Sequence, residues 1–342
     1  MGHNLKNISV HNDSIEHDKI SILIPSFNQQ EHILLECVNS CISQTYKNIE
    51  IIISDNFSSN NSVNEVKKIK DRRIRIVSPK KFLSMNENFA YCASHAQSNF
   101  ISFLSSDDVL LPTAIERLIS SLKQNPEAAF AFGNAFHHHR LPKLHKHKLL
   151  IRKSRGEDQI YYDGHTGREF FFPWKMSSTW MVGNLITTAA YIETGGFGAC
   201  NLEVSGDVWI TDKLLAQGGF VYVDEPLALF RARSVGHIEV DPDRRISDFI
   251  DYITINANQN STTFFSRIRE NIVLSYRMGI NKNTSREIKI KAASKFQDFG
   301  RHDLAKISTL SLRLTSMFSI IANFLSLLKI CRDFIRQMVN QV

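Results

Sequence analysis

The chain has no stretch of about 18 consecutive apolar residues, so nothing in it reads as a membrane-spanning helix. Its opening residues, MGHNLKNISVHNDSIEHDK, lack an apolar core, and no secretory signal is expected. The five cysteines (Cys37, Cys41, Cys92, Cys200 and Cys331) form no CxxC pair. Their odd number and scatter argue against a zinc ribbon or a disulfide framework and for a reducing compartment. Cys37 and Cys41 lie one helical turn apart, a spacing that suits core packing. No recognised nucleic-acid-binding module is present, so the net charge of +7 does not by itself indicate a nucleic-acid partner. It favours phosphates, nucleotides, acidic glycans or an anionic membrane surface. A cytoplasmic protein, with peripheral contact at the inner face of the cell membrane, is the expectation.

What the chain does have is a core-forming composition. Hydrophobic residues make up 43% and charged residues 22% of 342 positions, ordinary for a globular protein of this size. Residues 1–18 read as a loosely packed tail. From 19–25 (KISILIP), short apolar runs alternate with helical periods, at 49–54 (IEIIIS), 74–78 and 100–104. The helices between them fall at 31–44, 63–70 and 86–95, with another at 113–124 and a strand at 128–133. Strands alternating with helices predict a parallel, doubly wound sheet of the α/β class. Further on, residues 203–218 read as a helix closed by Gly218-Gly219. Two short strands, 220–223 and 227–233, are expected on either side of a turn at 224–226. The predicted domains are 19–240 and a helical region at 241–342.

The most informative segment is NFISFLSSDDVLL at 99–111. Two adjacent carboxylates, Asp107 and Asp108, follow a strand at the edge where open α/β sheets place ligands. Oxygen-only ligands there suit Mg²⁺ or Mn²⁺, which in turn bind a diphosphate. The competing reading is a solvated turn capping the helix that starts at Thr113. Residues 136–155 hold five histidines and seven Lys or Arg with no acid, either a solvated basic loop or an anion-attracting rim.

The stretch ILIPSFNQQEHILLECVNSCISQTYKNIEIIISDN, then FLSSDD, GGF, GDVWITDKLLAQGG and EPLALFRAR in that order, resembles family 2 glycosyltransferases of the GT-A fold. The resemblance covers about residues 19–234. It implies a Rossmann-like, mainly parallel sheet with a C-terminal helical extension and an inverting transfer from a nucleoside-diphosphate sugar to a glycan or lipid-linked glycan hydroxyl. Surface polysaccharide or lipopolysaccharide synthesis is the implied setting. By the same resemblance, Pro25, Ser26, Phe27 and Asn28 would line the nucleotide, and Asp55 would accept from uracil or ribose. Plain packing for Phe27 and a turn closed by Asp55 remain the alternatives. Asn56 stands where the family usually has a second acid. Asn88, Ser106, Arg231 and Arg233 would be further donor contacts, the arginines on the diphosphate.

Asp107 would be the direct ligand of a divalent metal cofactor, Mn or Mg, and Asp108 would hold ribose or a metal-bound water. FLSSDD puts Ser105 where the family's first acid stands. Gly206-Asp207 aligns with the family's Glu-Asp pair, making Asp207 the general base, or else only the N-cap of its helix. Trp209 suits the core, and His237 is a lone histidine. Acceptor contacts would fall in the variable 136–180 stretch. Residues 307–338 have a basic amphipathic rhythm, fit for an anionic membrane or for packing on the protein itself. A sugar-nucleotide pyrophosphorylase would be expected to follow its first strand with a Gly-rich basic loop, and SFNQQEH is neither. A non-catalytic relative is the remaining alternative, kept by Ser105 and Gly206.

Overall fold

The computed structural model describes residues 19–138, 148–149, 158–164, 166–167, 181–202 and 205–231, with isolated positions at 247–248, 251, 290 and 294. The chain divides into two compact units, Met1–Ile238 and Glu239–Val342. The N-terminal tail, most of the 136–180 stretch, Arg233, His237 and the basic helix at 307–338 lie outside the described residues.

The first unit is built on a mixed, mostly parallel sheet. In chain order its elements begin with β1 (Ile20–Ser26), α1 (Glu31–Ile42), β2 (Ile49–Asp55), α2 (Ser62–Lys67), β3 (Ile74–Val77) and α3 (Met85–Ala93). There follow β4 (Phe100–Phe103), β5 (Val109–Leu110), α4 (Ala114–Gln124), β6 (Phe130–His138), β7 (Lys148–Leu149) and β8 (Gln159–Tyr162). The last are β9 (Asn184–Thr187), α5 (Thr188–Glu193), α6 (Gly206–Gly218) and β10 (Phe220–Arg231). Among the described residues the strand order is β3-β2-β1-β4-β9-β6-β10-β5, with β7 on β6 and β8 on β10.

β1 and β2 are central because nearly every residue in them is buried, the mark of a parallel strand covered on both faces. They run parallel in register from Ile20↔Ile49 to Ser26↔Asp55. α1 turns Ile33, Leu34, Cys37, Val38 and Cys41 onto this sheet, as its period predicts. Glu50 is the charged exception inside it. Burial would raise its carboxyl, but the Ser21 hydroxyl, the Gln97 amide and Lys19 outweigh that and hold it below the usual range. At the C-terminal ends of the strands the order reverses between β1 and β4, which pair parallel to each other. A switch of that kind leaves a crevice between the two strand ends.

Two expectations need correction. The strands predicted at 220–223 and 227–233 are one strand, β10, with register shifts on both sides of Pro226. Proline has no N–H to give the ladder, so the strand bulges there and continues instead of turning. The acid pair does not cap the next helix either. α4 starts at Ala114 after Thr113, with no side-chain cap bond, while Val109–Leu110 adds β5 antiparallel to Ala228–Leu229 of β10. That short pairing brings the acid loop under the end of β10.

Candidate active site

Three loops meet at the β1/β4 crevice. The β1 loop is tied to the β4 loop by Gln29, whose Nε2 donates to Ser106 Oγ (3.3 Å). Asn28 ties it to the β2 loop: its Oδ1 accepts from the Ser59 amide (2.7 Å), and its N–H donates to Ser58 Oγ (3.0 Å). Asn28 has a φ of 47°, a left-handed conformation that asparagine tolerates. Pro25 and Ser26 end β1, buried, and the buried Ser26 hydroxyl has no hydrogen-bond partner among the described residues. Phe27 is not core: it is 41% exposed and meets Phe82 edge-on at 5.1 Å.

Several expected donor contacts turn out to build the loops. Asp55 Oδ1 accepts from the Ser58 amide (3.1 Å), so the turn reading holds for that oxygen. Asn56 is buried, and its amide pairs both ways with the Leu83 backbone at 2.9 Å. Asn88 is buried too, its Oδ1 accepting from the Ser54 hydroxyl (2.6 Å). A buried amide whose polar atoms serve its own scaffold is a poor ligand contact, because freeing it leaves an unpaired group behind. In this structure Asn56 and Asn88 position the strand ends.

Asp108 is 2% exposed. Its Oδ1 accepts the backbone N–H of Arg231 (2.8 Å), the contact made possible by β5. Burial and then the neighbouring Asp107 charge push its carboxyl well above the usual range, against the opposing pull of Arg231. Beneath the loop, Cys37 Sγ donates to the Ser105 carbonyl (3.6 Å), and burial, then Cys41, then the two aspartates keep that thiol protonated. The guanidinium of Arg231 is not held open for a diphosphate. Its Nε donates to the Asp107 carbonyl (2.8 Å) and its Nη2 to Glu36 Oε2 (2.6 Å). Arg231 thus clasps the acid loop between β10 and α1.

The donor set fits a hard divalent cation. A buried carboxylate beside a second one is costly unless positive charge offsets it, and Mg²⁺ or Mn²⁺ is commonly held by one or two carboxylates plus substrate phosphates. Among the described residues no group of three or more His, Cys, Asp or Glu is gathered for a metal.

Asp207 is the second residue of α6, half-buried, one turn ahead of Thr211, whose hydroxyl donates to the Asp207 carbonyl (2.5 Å). The N-cap position is Ser205, so Asp207 is not the cap. The α6 N-terminus is held to α3 by Asn86, which donates to the Leu202 carbonyl. Gly206 is there for space: a Cβ at that position would overlap Asn86 Oδ1 and Cγ. The Asn86 amide fills the room that a family acid at 206 would need. Gly206→Ala should therefore lower stability by about 1–3 kcal/mol, the ordinary result of overpacking. Chemical denaturation of the single and the Gly206→Ala/Asn86→Ala variants measures it, and the loss should shrink in the double variant.

The glycosyl transferase family 2 model matches residues 21–181, spanning β1, the acid loop and the strands up to β9. Over those residues the chain is similar to family 2 glycosyltransferases. The chain is 31% identical over 115 residues to the Escherichia coli UDP-Glc:alpha-D-GlcNAc-diphosphoundecaprenol beta-1,3-glucosyltransferase WfgD, covering 34% of this chain and 45% of that protein. It is 35% identical over 123 residues to the Campylobacter jejuni GalNAc(5)-diNAcBac-PP-undecaprenol beta-1,3-glucosyltransferase, over 34% of this chain and 38% of that one. The match thus spans less than half the length of these curated relatives. In fold, the crystal structure of S. aureus TarS 1-349 in complex with UDP superposes with a TM-score of 0.61 at 13% identity, over 89% of this chain and 88% of that one. The architecture is GT-A. No helix among the described residues is long and apolar enough to cross a membrane.

Proposed function

We propose that this protein is an inverting glycosyltransferase that moves a sugar from a nucleoside-diphosphate sugar to a hydroxyl of a lipid-linked glycan, in the assembly of a surface polysaccharide. The observation that carries the reading is the pair of half-buried Asp107 and buried Asp108, held by β5 and Arg231 at the β1/β4 crevice of a segment that matches the family 2 model. The WfgD activity, from UDP-glucose to a diphosphoundecaprenol-linked sugar, supports the donor class, and both relatives' undecaprenol-linked acceptors support the acceptor class.

In this reading Phe27 presents a ring to the nucleobase, and Ser26, Asn28, Asp55 and Ser106 border the ribose and diphosphate. Arg231 adds positive charge at the end of β10 and fixes the acid loop, and Arg233, two positions on in sequence, would add a second charge for the diphosphate. A divalent cation held by Asp107 and Asp108 would offset the charge that builds on the departing diphosphate. Asp207 takes the proton of the acceptor hydroxyl as that oxygen attacks the anomeric carbon from the face opposite the diphosphate, which inverts the configuration.

The test is donor turnover. Full-length protein with Mn²⁺ is screened against UDP-, GDP- and dTDP-sugars by thermal shift, and nucleoside diphosphate release is then measured with a lipid-linked glycan acceptor. One nucleotide class should raise the melting temperature and be released on acceptor addition. Binding without release under every pairing would favour the non-catalytic relative.

A further inference from the structure

A cavity of about 580 Å³ lies where β1, β2 and β3 begin, at the sheet edge opposite the donor crevice. Its size is that of a small-molecule site. Lys19 and Lys47 line it from just ahead of β1 and β2, and Arg72, Arg73 and Arg75 from the start of β3. Parallel pairing gathers these strand starts, and the seven residues of β1 hold them about 20 Å from its other end. Two acids also line the cavity, and both are matched. Glu50 meets Lys19 at 3.1 Å and Arg75 at 3.6 Å. Asp71 accepts from Arg73 Nη2 (2.7 Å) and Nε (3.1 Å). Lys47 and Arg72 are exposed and form no ion pair among the described residues; Lys47 gives one N–H to the Gln44 carbonyl (2.7 Å). Arg75 Nη2 donates to the His95 carbonyl, while its Nε–H is buried with no partner among the described residues. A buried donor left in that state is costly, and a ligand oxygen would relieve it.

We propose that this cavity binds a small anion bearing more than one phosphate, through Lys47, Arg72 and Arg75. Cations on the walls of a concave site focus their field into it, and here they outnumber the acids by more than one phosphate needs. The arginine fork suits paired phosphate oxygens, and lysine serves as a point charge. Among the described residues no aromatic side chain lines the cavity, and Ile49 is its one apolar member, so recognition falls on the phosphates and not on a base. The site stands apart from the donor crevice, and the inference does not rest on the transferase reading. A free diphosphate and the phosphate headgroup of a lipid share this chemistry, and the experiment separates them.

Calorimetric titration of the full chain with inorganic diphosphate tests it. Metal-free buffer keeps a divalent cation from recruiting the anion to Asp107 and Asp108, and about 0.15 M salt screens long-range attraction. The wild type should show saturable binding, and Asp107→Ala should match it. Lys47→Ser/Arg72→Ser should weaken binding by about tenfold for each cation removed. Both serines replace exposed side chains, so the melting temperature without ligand and the rate of sugar transfer should stay at the wild-type level. Sedimentation with phosphatidylcholine vesicles, with and without phosphatidic acid, is the second arm. Saturation by diphosphate without sedimentation supports the site with a soluble ligand. Sedimentation that needs phosphatidic acid and is lost in the serine variant supports it with a lipid headgroup. Equal binding by the wild type and the serine variant overturns the proposal, as does binding abolished by Asp107→Ala. A wild type that takes up neither diphosphate nor phosphatidic acid vesicles overturns it as well.

Discussion

Asp207→Asn should leave donor and metal binding within about twofold of the wild type and cut sugar transfer by about 10²–10⁴-fold. In barrier height this is about 3 to 5 kcal/mol. The substitution keeps size, shape and one carbonyl oxygen, so α6 and its Thr211 bond to the Asp207 backbone are undisturbed. What disappears is the ability to take a proton. A sugar hydroxyl is a weak nucleophile at neutral pH, and without a base its attack must develop positive charge on oxygen while the diphosphate leaves. Calorimetric titration of donor, alongside initial rates of transfer, separates the two effects. The acidic limb of the pH–rate profile, which reports the base, should vanish in the residual activity. Transfer by the Asn variant within tenfold of wild type would remove Asp207 from the role and return α6 to a purely structural reading.

How much of this was legible beforehand follows from the range of each interaction. The parallel strands and their helices were readable because β1 and β2 are runs of residues buried on both faces, and α1 repeats its apolar positions at helical spacing. The place of Asp107 and Asp108 followed from the strand before them. Their surroundings did not. β5 is two residues long and exists only because β10 bulges at Pro226 and continues, a pairing that no local pattern announces. The Arg231 guanidinium, expected near the diphosphate, bonds to Glu36, 195 positions away, and to the Asp107 carbonyl, contacts no local pattern announces. The Asn56 and Asn88 amides likewise bond to the scaffold, to the Leu83 backbone and the Ser54 hydroxyl. A side-chain amide at a strand end serves either the substrate or the scaffold, and only the packed loops decide which. Gly206, at first merely a missing acid, acquires a cause in the Asn86 amide that occupies its side-chain space.

The metal assignment is best tested at Asp107, because the two aspartates differ in what else they hold. Asp108 accepts the Arg231 amide and lies at 2% exposure, so shortening it would release β10 from the acid loop and confuse folding with chemistry. Asp107 meets Arg231 through its backbone carbonyl, which an alanine retains. Asp107→Ala should thus keep the loop in place while halving the carboxylates available to a cation. kcat/KM should fall by about 10²–10³, the usual cost of losing one preorganised stabiliser of developing charge. The sharper readout is the response to metal. Wild-type activity should collapse in chelator and recover with Mn²⁺ or Mg²⁺, and the Mn²⁺-dependent rise in melting temperature should be clear. In the variant the melting temperature should barely respond to Mn²⁺, and chelator should change the residual rate little. Unchanged chelator sensitivity in Asp107→Ala would mean that any cation is held elsewhere. Full wild-type activity in chelator would mean that the diphosphate departs with the help of the protein's own cations.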